Sequence, residues 1–362
     1  MKTLETPTNA VMTVDGRAIV NFAGSAYFGL SREPALIEAA VAALRQYGPR
    51  VHITPEYGLL TPPQSEVETE SARFFGTSAA IYIASGYLIG LTVLTGLRAR
   101  YDLVLLDERP HYSLHDAARA SGAIVRTFAH LDCTALEAEL VRARAENLRP
   151  IIGVDGVCPT LGSLPRFDIY ARLASQYGAK LFVDESHSFG VLGASGRGAL
   201  EECGVPANQV LRGGSLGKAF CAAGAVIVGA EADIEPLRVA PCVRGAVWGL
   251  VPGAAMAAAS LRFVRSRPDL LLKLRSNVTK FKTGLREMGI QIEDSPSPIA
   301  AFVTGSASKM QQLQQRLLDE DLFVLYTQYI GAGPEGVIRI SIFADHTDAQ
   351  IDRLLAALRR HT

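Results

Sequence analysis

The chain has 362 residues, 48% of them hydrophobic and 20% charged, which is ordinary for a globular enzyme and long enough for a large domain plus a smaller one. Lys plus Arg and Asp plus Glu each number 36, and without a basic stripe we expect no nucleic-acid partner. No apolar run has the length of a membrane span and no signal peptide is visible, so we expect no transmembrane segment. The five cysteines lack zinc-site spacing, which favours reduced thiols, no metal site and a cytoplasmic location.

Short apolar segments alternate with amphipathic segments through the first two-thirds of the chain. Continuously apolar segments are typical of strands buried on both faces, and we predict strands at 80–84, 102–106, 123–128, 150–154, 180–183, 209–212 and 224–229. Helical patterns lie between them, for example at 136–147 and 167–177. This alternation predicts an α/β fold with a mainly parallel seven-stranded sheet and helices on both faces.

The pattern changes after about residue 248. Helices are predicted at 252–266, 269–288, 307–320 and 348–360, and strands near 289–292, 299–304, 322–325 and 337–342. We therefore expect a large domain over residues 36–248, a smaller α+β domain over 249–362, and an N-terminal arm over 1–35 that crosses between them.

A glycine-rich turn is the first candidate for chemistry. Directly after a predicted strand it reads Gly213-Gly214-Ser215-Leu216-Gly217-Lys218. A lysine that forms a Schiff base must be partly desolvated, so that its amine is neutral near pH 7. The flanking glycines would let the backbone approach a bulky ligand, and Ser215 could hydrogen-bond a phosphate. The alternative is a glycine-rich turn with a surface lysine.

A second candidate follows the strand at 180–183, where Asp184 is succeeded by Glu185-Ser186-His187. Ligands of open α/β sheets bind outside the carboxyl ends of the strands. A buried carboxylate there needs a cationic partner, and a protonated pyridine nitrogen would supply one and let the ring accept electrons from a carbanion. His187 could reach a phenolic oxygen of the same ring. The alternatives are a helix-capping aspartate and a histidine satisfied in the core.

Two further turns follow predicted strands. Ser85-Gly86-Tyr87 precedes an apolar helix, and the free N–H groups at a helix N-terminus bind anions such as phosphate. His111 follows the strand at 102–106, where its imidazole could stack on an aromatic ring. Simple N-capping and an exposed loop histidine are the corresponding alternatives.

Arg339 is flanked by apolar strand residues in the last part of the chain. A buried guanidinium is costly unless it is paired, and a substrate carboxylate bound through two hydrogen bonds would satisfy it. The alternative is a structural ion pair with an acid such as Asp345.

The order and spacing of these segments strongly resemble the α-oxoamine synthases, which are fold-type-I pyridoxal-phosphate (PLP) enzymes. The resemblance covers almost the whole chain and rests on 154–162, 183–193, 196–198 and 215–218, with the arm at 21–30 and the tail at 339–347. It implies that Lys218 binds PLP as a Schiff base and that Asp184 pairs with the pyridine nitrogen. It also implies that His187 contacts the phenolic oxygen and that His111 stacks on the ring.

The resemblance further implies phosphate contacts from Ser85, Gly86, Tyr87 and Ser215, and binding of the substrate carboxylate by Arg339. The implied reaction is a decarboxylative Claisen-type condensation of an amino acid with an acyl thioester, carried by CoA or by a carrier protein, which gives an α-aminoketone. The implied assembly is a homodimer with its active site at the subunit interface.

The chain departs from this family where the substrate is expected to bind. Counted without gaps, the family's arginine after the first helix falls on Pro55 and its histidine on Gln64. The usual Ser-Met-Asp-Gly reads Pro159-Thr160-Leu161-Gly162, and the usual asparagine of the arm, which we take as a substrate contact, is Ser25. Three alternatives stay open: another PLP reaction (transamination, racemisation or aldol cleavage), a partner subunit of a heterodimeric synthase, and an α/β binding protein without PLP.

Overall fold

The computed structural model describes residues 3–51, 57–246 and 249–362. Its strands are β1 (Val11–Val14), β2 (Arg17–Asn21), β3 (Ala79–Ile83), β4 (Leu103–Asp107), β5 (Ile124–Phe128), β6 (Pro150–Asp155), β7 (Lys180–Asp184), β8 (Leu211–Ser215), β9 (Ala225–Gly229), β10 (Ile299–Phe302), β11 (Leu322–Phe323), β12 (Leu325–Thr327) and β13 (Val337–Ser341). Its α-helices are α1 (Pro34–Tyr47), α2 (Pro62–Phe75), α3 (Leu88–Gly96), α4 (Tyr112–Ala120), α5 (Cys133–Ala145), α6 (Phe167–Tyr177), α7 (Ala199–Glu202), α8 (Glu231–Arg238), α9 (Pro241–Ala246), α10 (Val251–Ser266), α11 (Pro268–Glu287), α12 (Ala307–Asp319) and α13 (Asp348–His361).

Seven strands form one mixed sheet in the order β3-β9-β8-β7-β6-β4-β5. Strands β5, β4, β6, β7 and β8 run parallel to one another, whereas β9 is antiparallel to both β8 and β3. The predicted mainly parallel seven-stranded sheet is confirmed, and its strand ends differ by no more than three residues from the predicted ones. Helices α5 and α6 confirm the two predicted helical patterns between the strands.

Strand β4 shows why a continuously apolar segment predicts a strand in this sheet. All of its residues are buried. Leu103 packs into one hydrophobic cluster and Val104 into another, because successive side chains point to opposite faces. Polar side chains are left for the strand ends, where Asp155 of β6 is in register with Asp184 of β7, and Asp184 with Gly213 of β8. The carboxyl groups of Asp155 and Asp184 therefore lie side by side at the carboxyl ends of β6 and β7.

Two three-stranded sheets complete the fold, with the orders β10-β13-β12 and β1-β2-β11. The second sheet joins the two ends of the chain, because the arm strand β2 pairs in parallel with β11. The strand predicted at 322–325 is divided between these sheets, since β11 ends at Phe323 and β12 begins at Leu325. Helices α10 to α13 confirm the four predicted helices of this region, whereas the division into an arm and two domains stays a prediction.

The strand predicted near 289–292 is wrong. Gly289 has a φ of +75° and follows the last turn of α11, where the Ile290 N–H donates to the Leu285 carbonyl. A left-handed glycine of this kind closes the helix and satisfies its terminal carbonyls. Ile290 and Ile292 are apolar because they pack against the edge of the core, without joining a sheet.

Within the described part of the chain, no helix is long and apolar enough to cross a membrane. The five cysteines are free. The same residues contain no group of acidic, histidine and cysteine side chains with the make-up of a metal site.

Candidate active site

A cavity of about 220 Å³ opens at the carboxyl ends of the central strands, where ligands of open α/β sheets bind. It is lined by Ser85, Gly86, Tyr87, His111, Ser113, Asp155, Asp184, Ser186, His187, Ser215 and Lys218. The structure therefore brings together every residue that the sequence assigned to cofactor binding. It adds Ser113, Asp155 and Ser186, of which Asp155 is titratable.

Asp155 and Asp184 stand side by side at the ends of the neighbouring strands β6 and β7. The Ser186 N–H donates to Asp184 at 3.0 Å, and the His111 N–H donates to Asp155 at 2.8 Å. Burial, and after it the negative charge of Asp184, raises the pKa of Asp155 to about 8. Asp155 is therefore largely protonated at neutral pH, as expected for one member of a close carboxyl pair.

Lys218 lies in the loop between β8 and β9, which is held by a 3.0 Å hydrogen bond from the Leu216 N–H to the Gly224 carbonyl. Burial lowers the pKa of the Lys218 amine to about 8, although the charge of Asp184 acts in the opposite direction. Much more of the amine is therefore neutral near neutral pH than in an ordinary lysine, as a nucleophilic or proton-accepting lysine requires. The alternative of a surface lysine is wrong, because the side chain lines the cavity.

The two glycines that precede Ser215 serve packing. A β-carbon on Gly213 would lie 2.3 Å from the side chain of Ile89, and one on Gly214 would lie 2.2 Å from that of Phe189. Contacts this short are incompatible with a close-packed interior, so neighbouring side chains restrict both positions to glycine. The expectation that these two glycines admit a bulky ligand is therefore wrong.

His187 is held by a residue of the N-terminal arm. Its Nδ1 lies 2.8 Å from the hydroxyl of Tyr27, which is fully buried. Burial, and after it the positive charge of Lys218, lowers the pKa of His187, so its imidazole is neutral. Because Tyr27 engages Nδ1, Nε2 is the nitrogen left to contact a group in the cavity.

His111 is the N-cap residue of α4. Its Nδ1 accepts a hydrogen bond from the Ser113 N–H at 3.2 Å and lies 2.7 Å from the Ser113 hydroxyl. Its Nε2 lies 3.0 Å from the hydroxyl of Tyr329, which the sequence had not singled out. Burial lowers the pKa of His111, although the charge of Asp184 acts in the opposite direction. The ring is thus neutral and held at its edges, and the alternative of an exposed loop histidine is wrong, because His111 lines the cavity.

Ser85, Gly86 and Tyr87 form the turn between β3 and α3, next to Ser215. A β-carbon on Gly86 would lie 3.0 Å from that of Ser215, so the two turns approach this closely because residue 86 is glycine. The amide groups and the dipole at the N-terminus of α3 favour an anion, and the hydroxyls of Ser85 and Ser215 add donors. The Tyr87 hydroxyl donates to Asp116 at the edge of this turn.

Arg339 on β13 is buried but is not among the residues that line the cavity. Its guanidinium donates to the Pro159 carbonyl at 2.8 Å and to the Ser341 hydroxyl at 2.9 Å. The alternative of an ion pair with Asp345 is wrong, since Asp345 instead accepts from the Ala10 N–H at 3.0 Å. Over the ranges that the structure describes, no carboxylate pairs with Arg339.

The remaining predicted substrate contact, Ser25, does not line the cavity, and neither does Gln64, which stands where the family has a histidine. Ser25 precedes Tyr27 in the arm, and its carbonyl accepts from the Tyr27 N–H at 2.8 Å, while its predicted substrate role stays a prediction. Gln64 is buried in the first turn of α2, where it forms a capping box with Thr61. Gln64 is thus a helix cap in this chain, and Pro55 lies outside the described residues.

The donor groups around the cavity match those of PLP in kind. The N-terminus of α3 with the hydroxyls of Ser85 and Ser215 suits a phosphate, Asp184 suits a pyridinium, and the partly neutral amine of Lys218 suits an aldehyde. The residues present therefore fit the cofactor.

The model of the family "Aminotransferase class I and II" matches residues 17–358. The 8-amino-7-oxononanoate synthase of Thioalkalivibrio sulfidiphilus is 35% identical over 365 residues, which cover 99% of this chain and 92% of the relative. The serine palmitoyltransferase (SPT) of Sphingomonas wittichii has a TM-score of 0.93 at 25% identity, covering 99% of this chain and 91% of its own. An SPT structure with a PLP internal aldimine has a TM-score of 0.92 at 26% identity, covering 100% of this chain and 92% of its own.

Both groups of relatives are α-oxoamine synthases, and their similarity extends over the arm, the central sheet and the tail that together surround the cavity. The alternative of an α/β binding protein without PLP is therefore wrong. The chain belongs to the aminotransferase class I and II family and is a PLP-dependent α-oxoamine synthase.

Proposed function

We propose that this chain condenses an amino acid with an acyl thioester and releases CO2, so that an α-aminoketone is formed. The observation that carries the proposal is that Arg339, although it does not line the cavity, lies close enough to Lys218 for its charge to lower the pKa of that amine. Lys218, with its pKa lowered to about 8, can move a proton, and Arg339 has donors that point only to neutral groups among the described residues. A proton carrier and a carboxylate binder are what an amino-acid substrate requires.

PLP, when bound, supplies a pyridinium ring that accepts the electron pair left on the α-carbon of the amino acid. In the proposal, Lys218 would hold the aldehyde carbon of PLP, and Asp184 would hold the ring nitrogen of PLP and keep it protonated. His187 contacts its phenolic oxygen through Nε2, and His111 stacks on its ring. The phosphate is held by the turn residues Ser85, Gly86 and Tyr87 and by Ser215.

Lys218 is the proposed base for the α-proton. A pKa of about 8 lets the neutral amine accept a proton and the ammonium return it within the same pH range. The negative charge of Asp184 raises that pKa, so it favours the ammonium once the proton has been taken up. Asp184 therefore offsets part of the burial that lowers the pKa of the base.

Arg339 is the proposed partner of the substrate carboxylate. Its donors now meet the Pro159 carbonyl and the Ser341 hydroxyl, so a carboxylate would gain charge-assisted hydrogen bonds without displacing an ion pair.

In the proposed condensation, the acyl carbon of the thioester forms a bond to the α-carbon of the amino acid while the thiol leaves. The original carboxylate, now β to a ketone, departs as CO2, and a proton from Lys218 takes its place.

A homodimer with a shared site is part of the proposal. Large apolar side chains are exposed on α1, on the segment before α2 and at the start of α10, namely Ile37, Leu44, Tyr57, Leu59, Leu60 and Leu250. Helix α10 packs against both α1 and α2, so these side chains lie on neighbouring elements. Exposed apolar surface of this kind is typical of a protein interface, and a second copy of the chain is the partner that closed symmetry favours.

The test uses purified protein with PLP, a panel of carboxyl-labelled amino acids, and acyl donors on CoA or on a carrier protein. Equal amounts of free thiol and labelled CO2, with an α-aminoketone as product, support the proposal. An aminotransferase would give a keto acid without thiol, and a racemase or aldolase would act on the amino acid alone. Any of those outcomes, with no thiol released from any donor, overturns it.

A further inference from the structure

The imidazole of His111 has three hydrogen-bond contacts, and one of them comes from a distant part of the chain. The Ser113 N–H donates to Nδ1, so Nδ1 carries no proton and the neutral ring bears its proton on Nε2. Nε2 therefore donates to the Tyr329 hydroxyl at 3.0 Å. The bonds to Ser113 are local to the start of α4, whereas the bond to Tyr329 is not.

Tyr329 belongs to the segment 328–336, which connects β12 to β13. Its ring meets that of Tyr112 edge-on, with centroids 5.1 Å apart. A β-carbon on Gly331 of the same segment would lie 3.7 Å from the side chain of Arg109. The segment thus packs against the turn that carries His111 into the cavity.

Packing alone does not explain the hydroxyl of Tyr329. A phenylalanine at this position would keep the edge-on contact with Tyr112. It would leave the Nε2 proton of His111 without its acceptor, and the imidazole could then rotate about its side-chain bonds. The hydroxyl therefore contributes orientation, beyond the contact area that the ring already supplies.

We propose that Tyr329 is a positioning residue, which holds His111 in the orientation that stacks on PLP and so couples the segment 328–336 to the cofactor. This inference rests on the stacking role of His111 in the proposed function. The coupling is reciprocal: if an ordered segment favours PLP binding, bound PLP orders the segment by the same factor.

The test compares Tyr329→Phe with Tyr112→Phe, which removes a hydroxyl from the other ring of the same aromatic pair. PLP affinity is measured by titration, and hydrogen–deuterium exchange is measured over 328–336 with and without PLP. We expect Tyr329→Phe to bind PLP about threefold to tenfold more weakly, as the loss of one hydrogen bond predicts. We also expect PLP to slow exchange of the segment in the wild type and in Tyr112→Phe, and much less in Tyr329→Phe.

Nitrogen NMR of labelled histidines gives a second readout that needs no cofactor. In the wild type we expect His111 to carry its proton on Nε2 with protection from exchange, and in Tyr329→Phe we expect that protection to be lost. PLP affinity and segment exchange equal to the wild type in Tyr329→Phe would overturn the inference. A wild type that binds PLP but releases no thiol would refute the proposed reaction alone, because the difference in PLP affinity would still decide the role of Tyr329.

Discussion

The hydroxyl of Tyr27 lies 2.8 Å from Nδ1 of His187, and this contact joins the N-terminal arm to the turn after β7. Tyr27 is fully buried, and its ring meets that of Phe343 edge-on with centroids 6.3 Å apart. The position of the hydroxyl is therefore set by the tail of the chain as well as by the arm. His187 takes its orientation from two segments that are remote from it in sequence.

Tyr27→Phe should lower turnover about tenfold while the protein stays folded, because the ring packing is kept and the hydrogen bond that orients His187 is lost. Steady-state kinetics test this, with Tyr101→Phe as the matched control. Tyr101 is also buried, and its hydroxyl donates to the Leu94 carbonyl at 2.6 Å outside the cavity lining. We expect both variants to lose about 1 kcal/mol of unfolding free energy. Equal turnover in the two variants would contradict the role of Tyr27.

The rate at which Lys218 captures PLP covalently should depend on pH in the same way as the fraction of neutral Lys218 amine. The ammonium form dominates below the lowered pKa of about 8 and cannot attack an aldehyde, so the initial rate of capture should rise with pH through a midpoint near 8. Reduction with borohydride at short times, followed by peptide mass spectrometry, measures this rate and locates the modified lysine.

Lys282 is the internal control for this labelling. Burial lowers its pKa to about 8 as well, but its amine donates to the Ser295 carbonyl at 2.7 Å and does not line the cavity. We expect Lys282 to stay unmodified over the whole pH range. Similar capture rates for Lys282 and Lys218 would show that a lowered pKa alone is enough for capture, and would contradict the role of the cavity.

Arg339→Lys should raise the KM for the amino acid by about tenfold or more and change kcat less, because a lysine keeps the charge but loses the two parallel donors that a carboxylate prefers. Ser341→Ala is the comparison, since it removes one neutral acceptor of Arg339 and leaves the guanidinium in place. Kinetics with the best amino acid from the panel test both variants. An unchanged KM in Arg339→Lys would remove Arg339 from the substrate site.

His346 should make the fold sensitive to acid. Its Nδ1 accepts from the Phe343 N–H at 2.9 Å and its Nε2 lies 3.0 Å from the Asn21 carbonyl, so the buried ring is neutral. Burial lowers the pKa of His346 from 6.5 to about 4. Between these values the unfolded chain binds a proton that the folded chain excludes, so the unfolding free energy should fall by up to about 3 kcal/mol as pH decreases.

Urea unfolding of the wild type and of His346→Gln over this pH range tests the point. We expect the variant to be less stable at neutral pH and to lose less stability on acidification. Parallel curves for the two proteins would show that another group carries the acid sensitivity.

Local patterns predicted the sheet and most of the cavity, because burial on both faces and the position of a strand end are visible within a few residues. Asp184 and Lys218 each follow an apolar run, and the structure places both at the carboxyl edge. The same reasoning, applied to the end of the strand predicted at 150–154, would have found Asp155. The sequence does not reveal the register of β6 and β7, which sets Asp155 beside Asp184. The charge of Asp184 then adds to burial in raising the pKa of Asp155.

The groups that orient the two histidines could not be predicted, because no local pattern connects Tyr27 to His187 or Tyr329 to His111. Each pair depends on segments that come together only in the folded chain. The packing role of Gly213 was hidden for the same reason, since Ile89, which restricts it, comes from another element.

The pairing of the arm with the tail also bears on the order in which the protein is made. The Asn21 carbonyl meets His346 across 325 residues of sequence, and the Ala10 N–H meets Asp345 across 335. Contacts with such separations form late, and a growing chain on the ribosome has no tail for its arm to dock on. The central sheet and the Lys218 loop can form first, but Tyr27 reaches its place beside Phe343 only after translation has passed the tail. We therefore expect the nascent protein to hold an unfinished binding site until the tail has been translated, so that tight uptake of PLP marks a chain that already contains Phe343 and His346.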